Sequence, residues 1–150
     1  MRVLLAIDDS EPSAAATQAV LARGPGNVVR VIHVVEPAAL LIPSLVADSG
    51  LGRWKPSELE TLRRARLALA EELLSRTAHT LRSGGLQVET SVEEGDPRPT
   101  ILNVAAAWHP DLIVLGSHGR KGLDRFLLGS VSEAVVRHAP CSVEITRVRH

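Results

Sequence analysis

Three short, nearly unbroken apolar runs restrict the fold of this chain more than any other feature. They are RVLLAID (2–8), VVRVIHVVE (28–36) and DLIVLG (111–116). A strand with one wet face alternates apolar and polar residues. A strand that is apolar throughout is buried on both faces, as parallel strands covered by helices are. Two further segments do alternate. QVETSVE (87–93) places Val88, Thr90 and Val92 on one face, and SVEITRV (142–148) does the same with Val143, Ile145 and Arg147. Both suit the edges of a sheet.

Helical stretches separate these runs. The first follows Ser10, a good N-cap, and stops near Gly24. SELE (57–60) reads as a capping box opening a long helix. Leu59, Leu62, Leu69 and Leu73 supply its apolar stripe, and Gly84-Gly85 ends it. DPRPTILNVAAAW (96–108) has Asp96 as N-cap and Pro97 at the first helical position. A last helix starts at Gly129-Ser130 and ends before Pro140. The order β-α-β-α-β-α-β-α-β predicts an open α/β sheet with right-handed crossovers. Residues 37–56 show no clean period and are too long for an ordinary connection. They are read either as a functional loop or lid, or as a variable insertion.

At 150 residues the chain forms one domain, 1–150, with a core packed from Leu, Val, Ile and Ala, because only 2% of its residues are aromatic. Seventeen basic residues balance 17 acidic ones. That argues against a nucleic-acid or membrane-surface partner, both of which favour a basic excess. A single cysteine, Cys141, rules out a disulfide framework within the chain. It is read as a small buried apolar residue rather than a redox centre. Asp8 and Asp9 break the first apolar run too early for a secretory signal, and no stretch reaches membrane-spanning length. The expected location is the cytoplasm.

The chemistry concentrates in GSHGRKGLDRFLLGS (116–130), which leaves the carboxyl end of a buried strand. Ligands of open α/β sheets bind there, where the strand order reverses. Gly116 and Gly119 carry no Cβ, so backbone N–H groups can turn toward an anion. Gly129 and Ser130 open a helix whose free amides and dipole favour negative charge. SVSE (130–133) is also a capping box, so Ser130 is read either as an anion contact or as a cap. His118, Arg120 and Lys121 are read either as ligand contacts or as solvated loop residues. The spacing is not that of a P-loop, and the loop after the first strand, DDSEPS, lacks the glycines of a dinucleotide fingerprint.

Gly116, Gly119, Gly129 and Ser130 match G-x2-G-x9-G-[ST] in full, and in this the chain resembles the ATP-binding subgroup of the universal stress protein family. The resemblance takes in LLAIDDSEPS, VIHVVEP, EEGDP, PDLIVLGSHGR and APCSVEITR. It implies a five-stranded parallel sheet of order 3-2-1-4-5 with helices on both faces, an adenine nucleotide alpha hydrolase-like fold. It implies ATP as ligand, with Mg or Mn as a possible companion, and weak hydrolysis or none. Asp8 would lie near the ribose or a phosphate-bound metal, the alternative being a plain helix N-terminal charge. The backbone of Val34 would meet the adenine edge and Leu115 would pack below the nucleotide. Gly116, Gly119, Gly129, Ser130 and Val131 would surround ribose and phosphates, with Ser132 as an extra hydroxyl donor. The last strand implies a homodimer. Ala6 stands where some ATP binders have proline, and Asp9 where others have glycine or an apolar residue. ADP, AMP and cyclic nucleotides stay open as ligands. So do two other functions: an interaction protein with a vestigial pocket, and an adenylating enzyme, against which the glycine-free first loop counts.

Overall fold

The computed structural model describes residues 1–38, 55–119 and 127–148. Within them run β1 (Arg2–Ala6), α1 (Glu11–Leu21), β2 (Val28–Val35), α2 (Pro56–Ser83), β3 (Gln87–Glu94), α3 (Pro97–Trp108), β4 (Leu112–Gly116), α4 (Ser130–His138) and β5 (Ser142–Thr146). The strands form one sheet of order β3-β2-β1-β4-β5, and every neighbouring pair is parallel. The two alternating segments are the two edges, as their pattern predicts.

The unbroken apolar runs divide by parity between two cores. Val3, Leu5 and Ile7 point to the face covered by α1 and α2, where they meet Val20, Leu74 and Leu81. Leu4 and Ala6 point the other way, to Ile101 and Ala105 of α3 and Val135 of α4. Because β1 is central, Val3, Leu4 and Leu5 are wholly shielded from water. Burying each such side chain contributes roughly 1.5–3 kcal/mol. Cys141 packs at the rim of the second core, where burial pushes its thiol pKa up, with Asp111 adding to the effect. An apolar role agrees with that placement.

Helix starts follow the sequence with two shifts. Ser10 caps α1, accepting from the Ser13 N–H at 3.3 Å, and Asp96 caps α3, accepting from the Arg98 N–H at 3.0 Å. The Arg98 guanidinium also clasps Asp96 and holds its carboxyl below the usual range. The SELE box is displaced by two residues. Pro56 takes the first helical position of α2, Lys55 precedes it, and Glu58 accepts the Lys55 N–H at 3.0 Å. Ser57 therefore lies inside the helix. Ser130 likewise lies inside α4, whose N-cap is Gly129.

The apolar stripe of α2 is the larger correction. Ala70, Leu74, Thr77, Ala78 and Leu81 face the core. Leu73 packs only partly, and Leu69 is 66% exposed. Leu74→Ala should therefore cost about 2–5 kcal/mol, whereas Leu69→Ala should stay within about 0.5 kcal/mol of the parent. Urea unfolding of both variants checks this, and equal costs would contradict the observed face.

Candidate functional site

β1 and β4 lie side by side, with Ala6 opposite Leu115. Beyond them the chain turns to opposite faces of the sheet, into α1 and toward α4. The loops that follow therefore diverge from one point and leave a crevice there. Asp8 and Gly119 meet across it. A Cβ on Gly119 would stand 2.6 Å from the Asp8 Oδ2. The glycine thus makes room for a carboxylate, where the sequence suggested room for an anion.

Asp8 is held from behind. Its N–H donates to the Ser13 Oγ at 2.9 Å, and the Ser13 hydroxyl donates back to Asp8 Oδ1 at 2.8 Å. Because Oδ1 is engaged, Oδ2 is left toward Gly119. Ser13 is buried and belongs to the first turn of α1, so the carboxylate direction is set by the helix start. Sequence reading passed over Ser13; the signal for it was its five-residue separation from Asp8 across a capped turn.

Gly116 has a different reason for lacking a side chain. A Cβ there would lie 2.6 Å from the Pro12 Cβ and 2.9 Å from its carbonyl carbon. Gly116 therefore lets α1 approach β4, and its place is within the strand, paired with Thr146. Close helix–strand packing is thus a reason for this glycine that the sequence did not show.

The far end of the glycine segment is tied back by Ser117, a buried residue that sequence reading also missed. Its carbonyl accepts the Gly129 N–H at 2.7 Å and the Ser132 hydroxyl at 2.7 Å. Its own N–H donates to the Thr146 carbonyl at 2.8 Å. Gly129 packs on His118, with a would-be Cβ 3.1 Å from the His118 Cα. The Gly129 amide and the Ser132 hydroxyl are thus spent inside the protein rather than offered to a ligand. The first-turn amides of Ser130, Val131 and Ser132 precede the i→i−4 ladder of α4 and carry the positive end of its dipole. Ser130 is exposed, and Val131 is half-buried. Arg120 and Lys121, and nearly all of the segment 37–56, lie outside the described residues.

Val34, Leu115 and Val131 share the core beneath α3 and α4. The structure thus gathers Asp8 with Gly119 above the sheet, and these three apolar residues beside it. A hollow of about 220 Å³ opens between α1 and α2; it shares Asp8 and Ser13 with the crevice, and Thr17, Gln18, Arg76 and Thr80 line its far side. None of the glycines lines it. The crevice, defined by the strand ends, is the better candidate.

A model of the universal stress protein family matches residues 1–147. Putative universal stress proteins of Staphylococcus haemolyticus and Staphylococcus aureus are 35% identical over 112 residues and 42% identical over 80 residues. These matches cover 73% and 52% of this chain, and 67% and 48% of those proteins, so the chain spans about half the length of the second. Universal stress protein UspA from Lactobacillus plantarum superposes with a TM-score of 0.77 at 25% identity, covering 98% of this chain and 97% of that one. The Archaeoglobus fulgidus protein in complex with dAMP gives 0.65 at 24%, covering 98% of both chains. An Arabidopsis thaliana family protein with AMP bound gives 0.69 at 20%, covering 99% of this chain and 92% of that one. The last two likenesses concern the fold.

The two glycines should fail differently. Gly116→Ala forces Pro12 and its backbone away and should lower unfolding free energy by about 1–3 kcal/mol. Gly119→Ala meets only a carboxylate and should cost less than about 1 kcal/mol. Urea denaturation of the two variants reads the difference; a Gly119→Ala cost as large as that of Gly116→Ala would contradict these placements.

Proposed function

The chain belongs to the universal stress protein family, and from that premise we propose that it binds an adenine nucleotide in the crevice between β1 and β4. The Asp8 carboxylate set against Gly119, inside a full G-x2-G-x9-G-[ST] spacing, carries the reading. The ligand is ATP, held as a regulatory signal with slow hydrolysis or none, in the stress response of a cytoplasmic protein. Complexes with AMP and dAMP among structures of the same fold favour an adenine base.

Each end of the nucleotide has a partner of suitable chemistry. Asp8 accepts bonds from ribose hydroxyls. The amides of Ser130 and Val131 at the mouth of α4 favour phosphate. Each such contact contributes roughly 0.3–1 kcal/mol when exposed, so affinity requires several together. Leu115 and Val131 supply an apolar floor. Among the described residues no group of three or more His, Cys, Asp or Glu side chains could hold a metal ion. A magnesium or manganese ion would therefore arrive on the phosphates, with Asp8 as the acid nearest to it.

Turnover requires a group that orients or activates water. Among the described residues His118 is the histidine within the glycine motif, and its Nδ1 lies 3.0 Å from the Ser117 Oγ. A second reading is an interaction protein with a vestigial pocket. It draws on the Gly129 amide and the Ser132 hydroxyl, both already satisfied by Ser117. In either reading the β5 edge offers a strand for pairing two copies, although Glu144 there is bridged within the chain to Arg23, just past the end of α1.

Calorimetric titration separates the two readings. The wild type should bind AMP or magnesium-ATP at or below about millimolar ligand, and bound nucleotide should raise the melting temperature by mass action. Gly119→Val, which displaces Asp8, should abolish binding. No binding by the wild type would reject the nucleotide reading. Undiminished binding by Gly119→Val would reject the site.

A further inference from the structure

The sheet stops one rung short at the crevice, and a side chain stands at the acceptor of the missing rung. Along β2, even-numbered residues turn their peptide groups toward β1 and odd-numbered ones toward β3. The Val28 N–H donates to Met1 O and Ile32 O accepts the Ile7 N–H, whereas Val35 O accepts the Gly95 N–H on the β3 side. Parallel pairing continues by regular slanted bonds. The next bond after Ile7 N–H to Ile32 O would be Val34 N–H to Ile7 O. That bond is absent, and the His33 ring meets the same acceptor, with Nδ1 2.7 Å from Ile7 O. A carbonyl only accepts, so Nδ1 carries the hydrogen.

We propose that His33 is a positioning residue that ends the β1–β2 ladder early and keeps the Val34 peptide edge open to a ligand base. With Ile7 O occupied, the Val34 N–H and C=O stay directed past the end of β1, over the crevice where Asp8 and Gly119 meet. Side by side they present one donor and one acceptor, which suits the hydrogen-bonding edge of a purine. Ile7 immediately precedes Asp8, so the same ring also anchors the carbonyl from which the acidic loop departs. His33 is half-buried, with its side chain on the α1 and α2 face, so it reaches the carbonyl without entering the crevice. This rests on the nucleotide reading for the identity of the ligand, but not for the state of the ladder.

Two measurements keep the proposals apart. The first is exchange of the Val34 amide in ligand-free protein, followed by NMR. It should be fast in the wild type, at least about tenfold slower in His33→Leu as the rung closes onto Ile7 O, and fast again in His33→Asn, whose amide restores a donor. A protected Val34 amide in the wild type, or equally fast exchange in His33→Leu, would overturn the positioning role. The second is affinity for AMP, which should fall about tenfold in His33→Leu and recover in His33→Asn, while affinity for ribose 5-phosphate stays unchanged. Equal losses for both ligands would show general damage and overturn the claim that His33 serves the base. A wild type that binds no AMP rejects the nucleotide reading alone, and the exchange result still decides the role of His33.

Discussion

The parallel pairing of β1 with β2 on one side and β4 on the other is the constraint on which the molecule depends. It requires apolar residues on both faces of β1, and Val3, Leu4 and Leu5 meet that demand with no exposure. It also dictates where the chain goes next. Each parallel connection must cross over a face of the sheet, and the crossovers from β1 and β4, which run to opposite sides, use opposite faces. α1 lies under one face and α4 over the other, so the strand ends diverge and a crevice opens between them. The site therefore follows from the fold.

What the loops add is fixation. Ser13 turns Asp8 toward Gly119, and the Ser117 carbonyl gathers Gly129 and Ser132 at the mouth of α4. The two clamps act on opposite walls of the crevice. The first satisfies the Asp8 N–H in the loop before α1, the second the Gly129 N–H at the N-cap of α4. His33 adds a third restraint at the end of β1. In each case a polar side chain satisfies one backbone group and so decides which neighbouring group remains for a ligand.

The strands and their order of appearance were legible because burial on two faces leaves an apolar run that few other structures produce. The edges were legible in the alternation of Val88 with Val92 and of Val143 with Ile145. The face of α2 was not. A helix of 28 residues is about 42 Å long, while the eight-residue β2 spans about 26 Å. The N-terminal end of such a helix, with Leu62, carries no buried residue, and Leu69, one residue from buried Ala70, points off the core face. The glycines of the motif were found by spacing, but their separate reasons were not. Gly116 yields to Pro12 and Gly119 to Asp8, contacts across more than one hundred residues of sequence that no local pattern encodes. Ser13 and Ser117 escaped notice because an isolated serine carries no periodic signal.

The central claim is that the crevice at the β1 and β4 ends, and not the hollow between α1 and α2, receives an adenine nucleotide. An NMR titration of the labelled protein with AMP tests it most directly. The account predicts amide shifts centred on Asp8, Val34, Gly119, Ser130 and Val131. Shifts centred on Thr17, Gln18 and Arg76, or no shifts at saturating ligand, would contradict it.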